Sequence, residues 1–247
     1  MPTIEQQYEK LVEEAKADSG VIGFVLGGGR GKNIQTEHSD YDITLVVEDA
    51  VLDGAKVKYQ AYAGGKFDIT ILTERDLMIH GVWGSDTMWA RYGFAHVKAI
   101  IDKNNRIQRW LDEQETVPAP AVDDAIKQSL DGYLNYTHRS LKNFRDFRNT
   151  AAHLAACDAV PLLISFLFTA EYRIRPYNEY IEWELTNHPL RNLKFTPEEF
   201  SKKISQILAN GDEAVQKEML AIVRTIAAQT RMGQSVLTSW EGYYFGE

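Results

Sequence analysis

Cysteine is almost missing from this chain of 247 residues. The single copy, Cys157, cannot close an intramolecular disulfide and cannot build a cysteine-rich zinc site. Histidine occurs six times, without H-x-x-x-H or His/Cys ligand spacing. With 7 prolines and 17 glycines, collagen-like and low-complexity architectures are excluded. Long apolar runs are lacking as well. The longest lies near Ala159–Ala170, short of the ~20 residues that span a bilayer, and reads as a buried core helix. The first residues, MPTIEQQYEKLVEEAKAD, have no basic-then-apolar layout, so no signal peptide is expected there. Basic charge is in deficit: 27 Lys and Arg stand against 35 Asp and Glu, a formal net charge of -8. Phosphate contacts carry affinity for long nucleic acid, so an acidic chain argues against such a partner. These absences predict a cytoplasmic protein with no membrane partner. Its acidity suits small, cationic or metal-bridged ligands.

What is present is ordinary for a globular protein: 44% hydrophobic and 25% charged residues. Ile4, Tyr8, Leu11, Val12 and Ala15 fall on one face of an opening helix. Gly20–Leu26 is a short apolar run bounded by glycines, as a buried strand should be. A polar loop, Gly27–Ser39, leads to a second strand, Tyr41–Val47. Lys56–Tyr62 alternates and reads as a third strand, with Gly64-Gly65 as a hairpin turn and Lys66–Leu72 returning antiparallel. Thr73 should cap a helix from Glu74 to about His80, Ala95–Ile101 reads as a further strand, and Ile107–Glu115 as a helix. The Pro/Ala stretch Thr116–Val122 is the best domain boundary. Beyond it the pattern is helical: Asp124–Asn149, Ala151–Tyr172, a capping box at Thr196 and Glu199 with Pro197 at the first turn, Asp212–Gln229 and Gln234–Tyr244. The expected fold is α+β, a small mixed-sheet domain over residues 1–117 followed by an α-helical domain over residues 118–247.

The chemistry concentrates in Gly27–Asp42, GGGRGKNIQTEHSDYD. Gly27, Gly28 and Gly29 follow a strand directly; their exposed N–H groups and lack of Cβ let a phosphate approach closely. Arg30 and Lys32 can neutralise phosphate charge. Asp40 and Asp42 sit at the head of the next strand, i and i+2, on one face and about 6.6 Å apart along it. Paired carboxylates so placed can share divalent ions, and oxygen-only ligation suits Mg²⁺ with substrate phosphates. Asp68, in KFDITIL, is a third carboxylate on a strand that otherwise looks fit for burial. Metal ligation or proton abstraction would account for it.

Strand, glycine-rich turn, Ser39-Asp40-Tyr41-Asp42, then Asp68 on a neighbouring strand resembles the DNA polymerase beta-like nucleotidyltransferase superfamily. Gly27-Gly28 stands where that family usually has Gly-Ser, so one hydroxyl contact to phosphate is missing; Gly29-Arg30-Gly31 follows the common continuation. The helical half, with Tyr136, Lys142 and Leu163–Glu171, and the stretch Phe94–Leu111 are similar in layout to bacterial aminoglycoside- and lincosamide-type antibiotic nucleotidyltransferases. The resemblance implies Mg²⁺ held at Asp40, Asp42 and Asp68, ATP or another nucleoside triphosphate at Gly27, Gly28, Arg30 and Ser39, and transfer of a nucleoside monophosphate to a hydroxyl with release of pyrophosphate. Asp68 would complete the metal site or take the proton from the acceptor.

Other candidates read two ways. Lys142 and Tyr136 on the first long helix of the second half could contact the nucleotide, or be ordinary surface groups. Glu171, Glu179, Glu182 and Glu184, with Trp183, could form an acidic and aromatic wall for a cationic acceptor, or a solvated face. Trp83, Asp86 and Trp89 make a similar cluster in the first half. His38 reads as a loop histidine and Cys157 as core. The leading expectation is adenylyl transfer to an aminoglycoside-like small molecule. The competing expectation is a nucleotide-binding regulatory or antitoxin-like protein, or a transferase acting on protein or RNA.

Overall fold

The computed structural model describes residues 2–246. The chain divides into two compact units, the first ending at Glu115 and the second beginning at Thr116. In the first unit, Thr3 opens helix α1 (Ile4–Ala17) with a capping box in which its hydroxyl accepts from the Gln6 N–H. Then follow β1 (Val21–Leu26), a single helical turn α2 (Gly28–Gly31), β2 (Tyr41–Val47), α3 (Leu52–Gln60), β3 (Phe67–Thr73), α4 (Glu74–Ile79), α5 (Arg91–Phe94), β4 (Ala99–Asp102) and α6 (Ile107–Gln114).

The sheet order is β3-β2-β1-β4, with β1 antiparallel to both neighbours and β2 parallel to β3. This corrects the hairpin expectation. Lys56–Tyr62 lies in α3 and the turn after it: Ala55 and Tyr59, four apart, are buried, while Val57 is 80% exposed. Apolar alternation over so few residues is also satisfied by a helix. Gly64 and Gly65 do make a turn, at φ +111° and +62°, but it joins a crossover helix to a parallel strand. The expected strand Ala95–Ile101 shrinks to Ala99–Asp102, because the chain around Ala95 turns through a left-handed His96 at φ +60°.

The two sheet faces are covered unequally. One carries Phe24, Tyr41, Ile43, Leu45, Phe67, Ile69 and Ile71, buried with Leu11, Val12 and Ala15 of α1 and Tyr59 of α3. The other carries Val25 and Val46, packed with Leu77, Ile107, Trp110 and Leu111. Towards the start of β2 and β3 this second face opens, and Asp68 and Thr70 are exposed there.

Among the described residues the second unit contains no strand, as its pattern predicted. Its helices are α7 (Val122–Arg145), α8 (Asn149–Thr169), α9 (Ile181–Asn187), α10 (Pro197–Asn210), α11 (Glu213–Ala227) and α12 (Arg231–Ser239). Thr196 and Glu199 complete the capping box of α10, and Gly211 ends it in the left-handed conformation. By length and composition α8 could cross a membrane, yet 56% of its most apolar window is buried inside the unit. Leu163, Ile164, Phe166, Leu167 and Phe168 all lie in the core.

Candidate active site

The site is assembled by strand register. Leu26 pairs with Ile43 at the end of β1, and the next N–H, that of Gly27, donates to the Asp42 carbonyl at 2.8 Å. Asp42 is in turn the partner of Asp68 across the parallel β2–β3 pair. Parallel neighbours in register project to the same face, so the two carboxylates stand side by side on the open end of the sheet. Asp40 precedes them by one step of the pleat and is exposed.

The glycine turn closes on the same carboxylate. Gly28 has φ +54°, and a Cβ there would lie 1.9 Å from Asp42 Oδ2. A Cβ at Gly31 would meet the Leu26 carbonyl oxygen at 2.1 Å. Gly28 and Gly31 are thus steric requirements of strand β1 entering α2 against Asp42. Asp42 is half-buried. Burial first, then the negative charges of Asp40 and Asp68, push its carboxyl above the usual aspartate range, while Lys32 pulls it back. A carboxylate crowded in this way favours a bound cation.

Arg30, expected to contact phosphate, is engaged with the strand that carries the carboxylates. Its Nε donates to the Asp40 carbonyl at 3.0 Å and its Nη2 to the Ser39 carbonyl at 3.1 Å. Its guanidinium carbon lies 3.8 Å from the centre of the Tyr41 ring, on which Tyr8 and Phe67 also stack. Arg30 therefore braces the strand that carries Asp40 and Asp42. Lys32 is buried, its ammonium donating to the carbonyls of Tyr92 and Gly93 at 3.1 and 3.3 Å. Ser39 closes a tight loop, its Oγ accepting from the Thr36 N–H at 2.9 Å. His38 is exposed beside it, as a loop histidine should be. The roles of Arg30 and Lys32 depend on partners about 10 and 60 residues away, which no local pattern signals.

Asp68 also departs from the sequence reading. Strand β3 buries only Phe67, Ile69, Ile71 and Thr73, so Asp68 occupies a face already open to solvent, not a buried one. The acidic wall expected of Glu171 to Glu184 does not form as one surface. Glu184 is buried and ion-paired with Arg173, which also donates to the His188 carbonyl. Glu171 accepts from the Asn192 N–H at 2.9 Å. Glu182 and Glu179 line a separate cleft in the helical unit. Asp86 and Trp89 are exposed on one loop, Trp89 at 72%. Tyr136 and Lys142 both lie on α7, six positions and so about 120° apart around it.

The donor set Asp40, Asp42 and Asp68 is all oxygen, the set that Mg²⁺ takes together with substrate phosphates. Among the described residues, no three His, Cys, Asp or Glu side chains already converge at ligand spacing. By donor chemistry alone the three carboxylates would suit such an ion, with phosphate oxygens needed to complete its shell.

No family's sequence profile matches the chain, and no curated protein matches it. Among solved structures it is similar to a nucleotidyltransferase-like protein from Exiguobacterium sibiricum, at 12% identity and a TM-score of 0.39 over 98% of this chain and 88% of that one.

Proposed function

We propose that this protein is a Mg²⁺-dependent nucleotidyltransferase that moves a nucleoside monophosphate, AMP from ATP in the first instance, onto a hydroxyl of a small molecule. One observation carries the reading: Asp42 and Asp68 are register partners at the open end of the sheet, where the Gly27–Gly31 turn closes on Asp42. Asp40, Asp42 and Asp68 would hold the ion, which supplies charge neutralisation for a triphosphate. The turn after β1 admits the phosphates because no Cβ stands in their way. The acceptor oxygen bonds to the α-phosphorus as the bond to pyrophosphate breaks, and the hydroxyl proton passes to a carboxylate. Exposed Asp68 is the residue best placed to take it. Positioning and charge provide most of the acceleration in such a transfer.

An aminoglycoside-like antibiotic is the first acceptor class to test. The acidic net charge and the exposed pair Asp86 and Trp89 support a cationic acceptor, since carboxylates and ring faces both attract ammonium groups. Pyrophosphate release with ATP, Mg²⁺ and an aminoglycoside panel is the assay. Turnover with at least one member is expected; none with any member removes the antibiotic assignment.

A second reading is favoured by Gly28, which stands where the resemblance would put a serine hydroxyl. It is a nucleotide-binding regulator with the same fold. Calorimetry separates the two: tight ATP binding with no acceptor-dependent chemistry supports the regulator.

A further inference from the structure

The helical unit holds a cleft of about 410 Å³ between α8, α10 and the segment entering α9. That volume lies within the range of small-molecule sites. Its walls are mixed, with an apolar part formed by Val160, Ile164, Ile181, Phe200 and Ile204 among others. Arg175 is set into this lining. Its Nη2 donates to Asn178 Oδ1 at 2.6 Å, a neutral partner, while its Nε is buried with no hydrogen-bond acceptor among the described residues. Two carboxylates share the lining, Glu179 and Glu182. Both are exposed, and neither forms an ion pair with Arg175 among the described residues.

A guanidinium retains its proton in proteins even where burial pulls its pKa down, as it does here. Arg173, two residues earlier, shows the usual solution: it pairs with buried Glu184. Arg175 stands in a comparable position without a counter-ion from its own chain. A partly buried charge whose Nε has no acceptor costs stability, so such a group at the wall of a cleft marks where an anionic group would fit.

We propose that this cleft binds a small amphipathic carboxylic acid, its carboxylate on the Arg175 guanidinium and its apolar part against Ile164, Phe200 and Ile204. Planar bidentate pairing with a carboxylate is what a guanidinium does best. Ser201 and Ser205, also on the wall, add hydroxyl donors. The site lies wholly within the helical unit and does not rest on nucleotidyl transfer.

The test uses the full chain and the fluorescent anion 1-anilinonaphthalene-8-sulfonate, displaced in parallel by decanoate, decan-1-ol and decylammonium. Saturable probe binding is expected. Decanoate should displace the probe at a concentration at least tenfold below that needed for either the alcohol or the amine. Arg175→Leu should abolish that advantage while leaving the alcohol unchanged. Ser205→Trp, at an exposed lining position, should block all three by filling the cleft, and it decides the matter alone if Arg175→Leu fails to fold. No saturable probe binding, equal potency of decanoate and decanol, stronger displacement by the amine, or unaltered displacement in Ser205→Trp would each overturn the proposal. None of these readouts involves pyrophosphate release, so the fate of the catalytic reading is separate.

Discussion

A single methyl group at position 28 would sit on top of the Asp42 carboxylate. Gly28→Ala therefore carries two penalties, a left-handed residue with a Cβ, roughly 1 kcal/mol, and displacement of a carboxylate at the proposed site. Pyrophosphate release should fall at least tenfold, with a lower midpoint in urea unfolding; wild-type kinetics would show that the turn does not touch the reacting groups. Asp42→Asn should separate activity from stability. The folded-state pKa of Asp42 is raised, so the protonated form is the one favoured by folding. Its unfavourable contribution is absent below the ordinary aspartate pKa, grows as pH rises from there through the raised value, and is complete at neutral pH. A carboxamide in its place cannot ionise, so the variant should melt higher than the parent at pH 7. The gap should close as pH falls towards the ordinary aspartate value, while catalysis is lost. Thermal scans at several pH values read this directly, and a lower melting point at pH 7 would contradict it. Arg30→Ala should act through position: with the Ser39 and Asp40 carbonyls and the Tyr41 ring released, kcat falls more than KM for ATP rises.

At the scale of elements, caps and apolar stripes were legible and pairing partners were not. Thr73 and Thr196 announce their helices because capping is a contact between residues three apart. Thr196→Ala should cost about 1 kcal/mol, read as a lower denaturation midpoint with Mg²⁺-ATP binding unchanged. Strand β2 was visible to the residue, since its β-branched run is buried along almost its whole length. Lys56–Tyr62 was misread because a half-exposed helix and a half-exposed strand can place the same few apolar residues inward. With that segment helical, the connection is long enough for β3 to return parallel to β2, as it does. Only then does Asp68 come beside Asp42 with both on the same face.

At the scale of the molecule, the chain divides into two compact units. The helical unit contains a charge pair that it cannot lose cheaply. Glu184→Ala would leave Arg173 without its carboxylate and should destabilise by about 3–5 kcal/mol, whereas Glu179→Ala, at an exposed position, should fall within about 0.5 kcal/mol of the parent. Glu184→Ala and Asp42→Asn lie in different units, so their effects on unfolding free energy should add to within about 0.5 kcal/mol in the double variant. The net charge of -8 is distributed unevenly: Glu184 in an internal ion pair, Glu171 on a backbone N–H, and Asp40, Asp42 and Asp68 at one end of a sheet.

By itself the sequence determined the α+β class, the capped starts of α4 and α10, the strands β1 and β2, and the grouping of glycines with Asp40 and Asp42, because each depends on residues within a few positions of one another. Tertiary structure alone decided the parallel return of β3, the use of Arg30 and Lys32 as braces, the burial of Glu184 with Arg173 and the uncompensated guanidinium of Arg175. Each of these depends on which distant backbone carbonyl, carboxylate or strand edge the folded chain brings within a few ångströms, and local pattern carries no record of that.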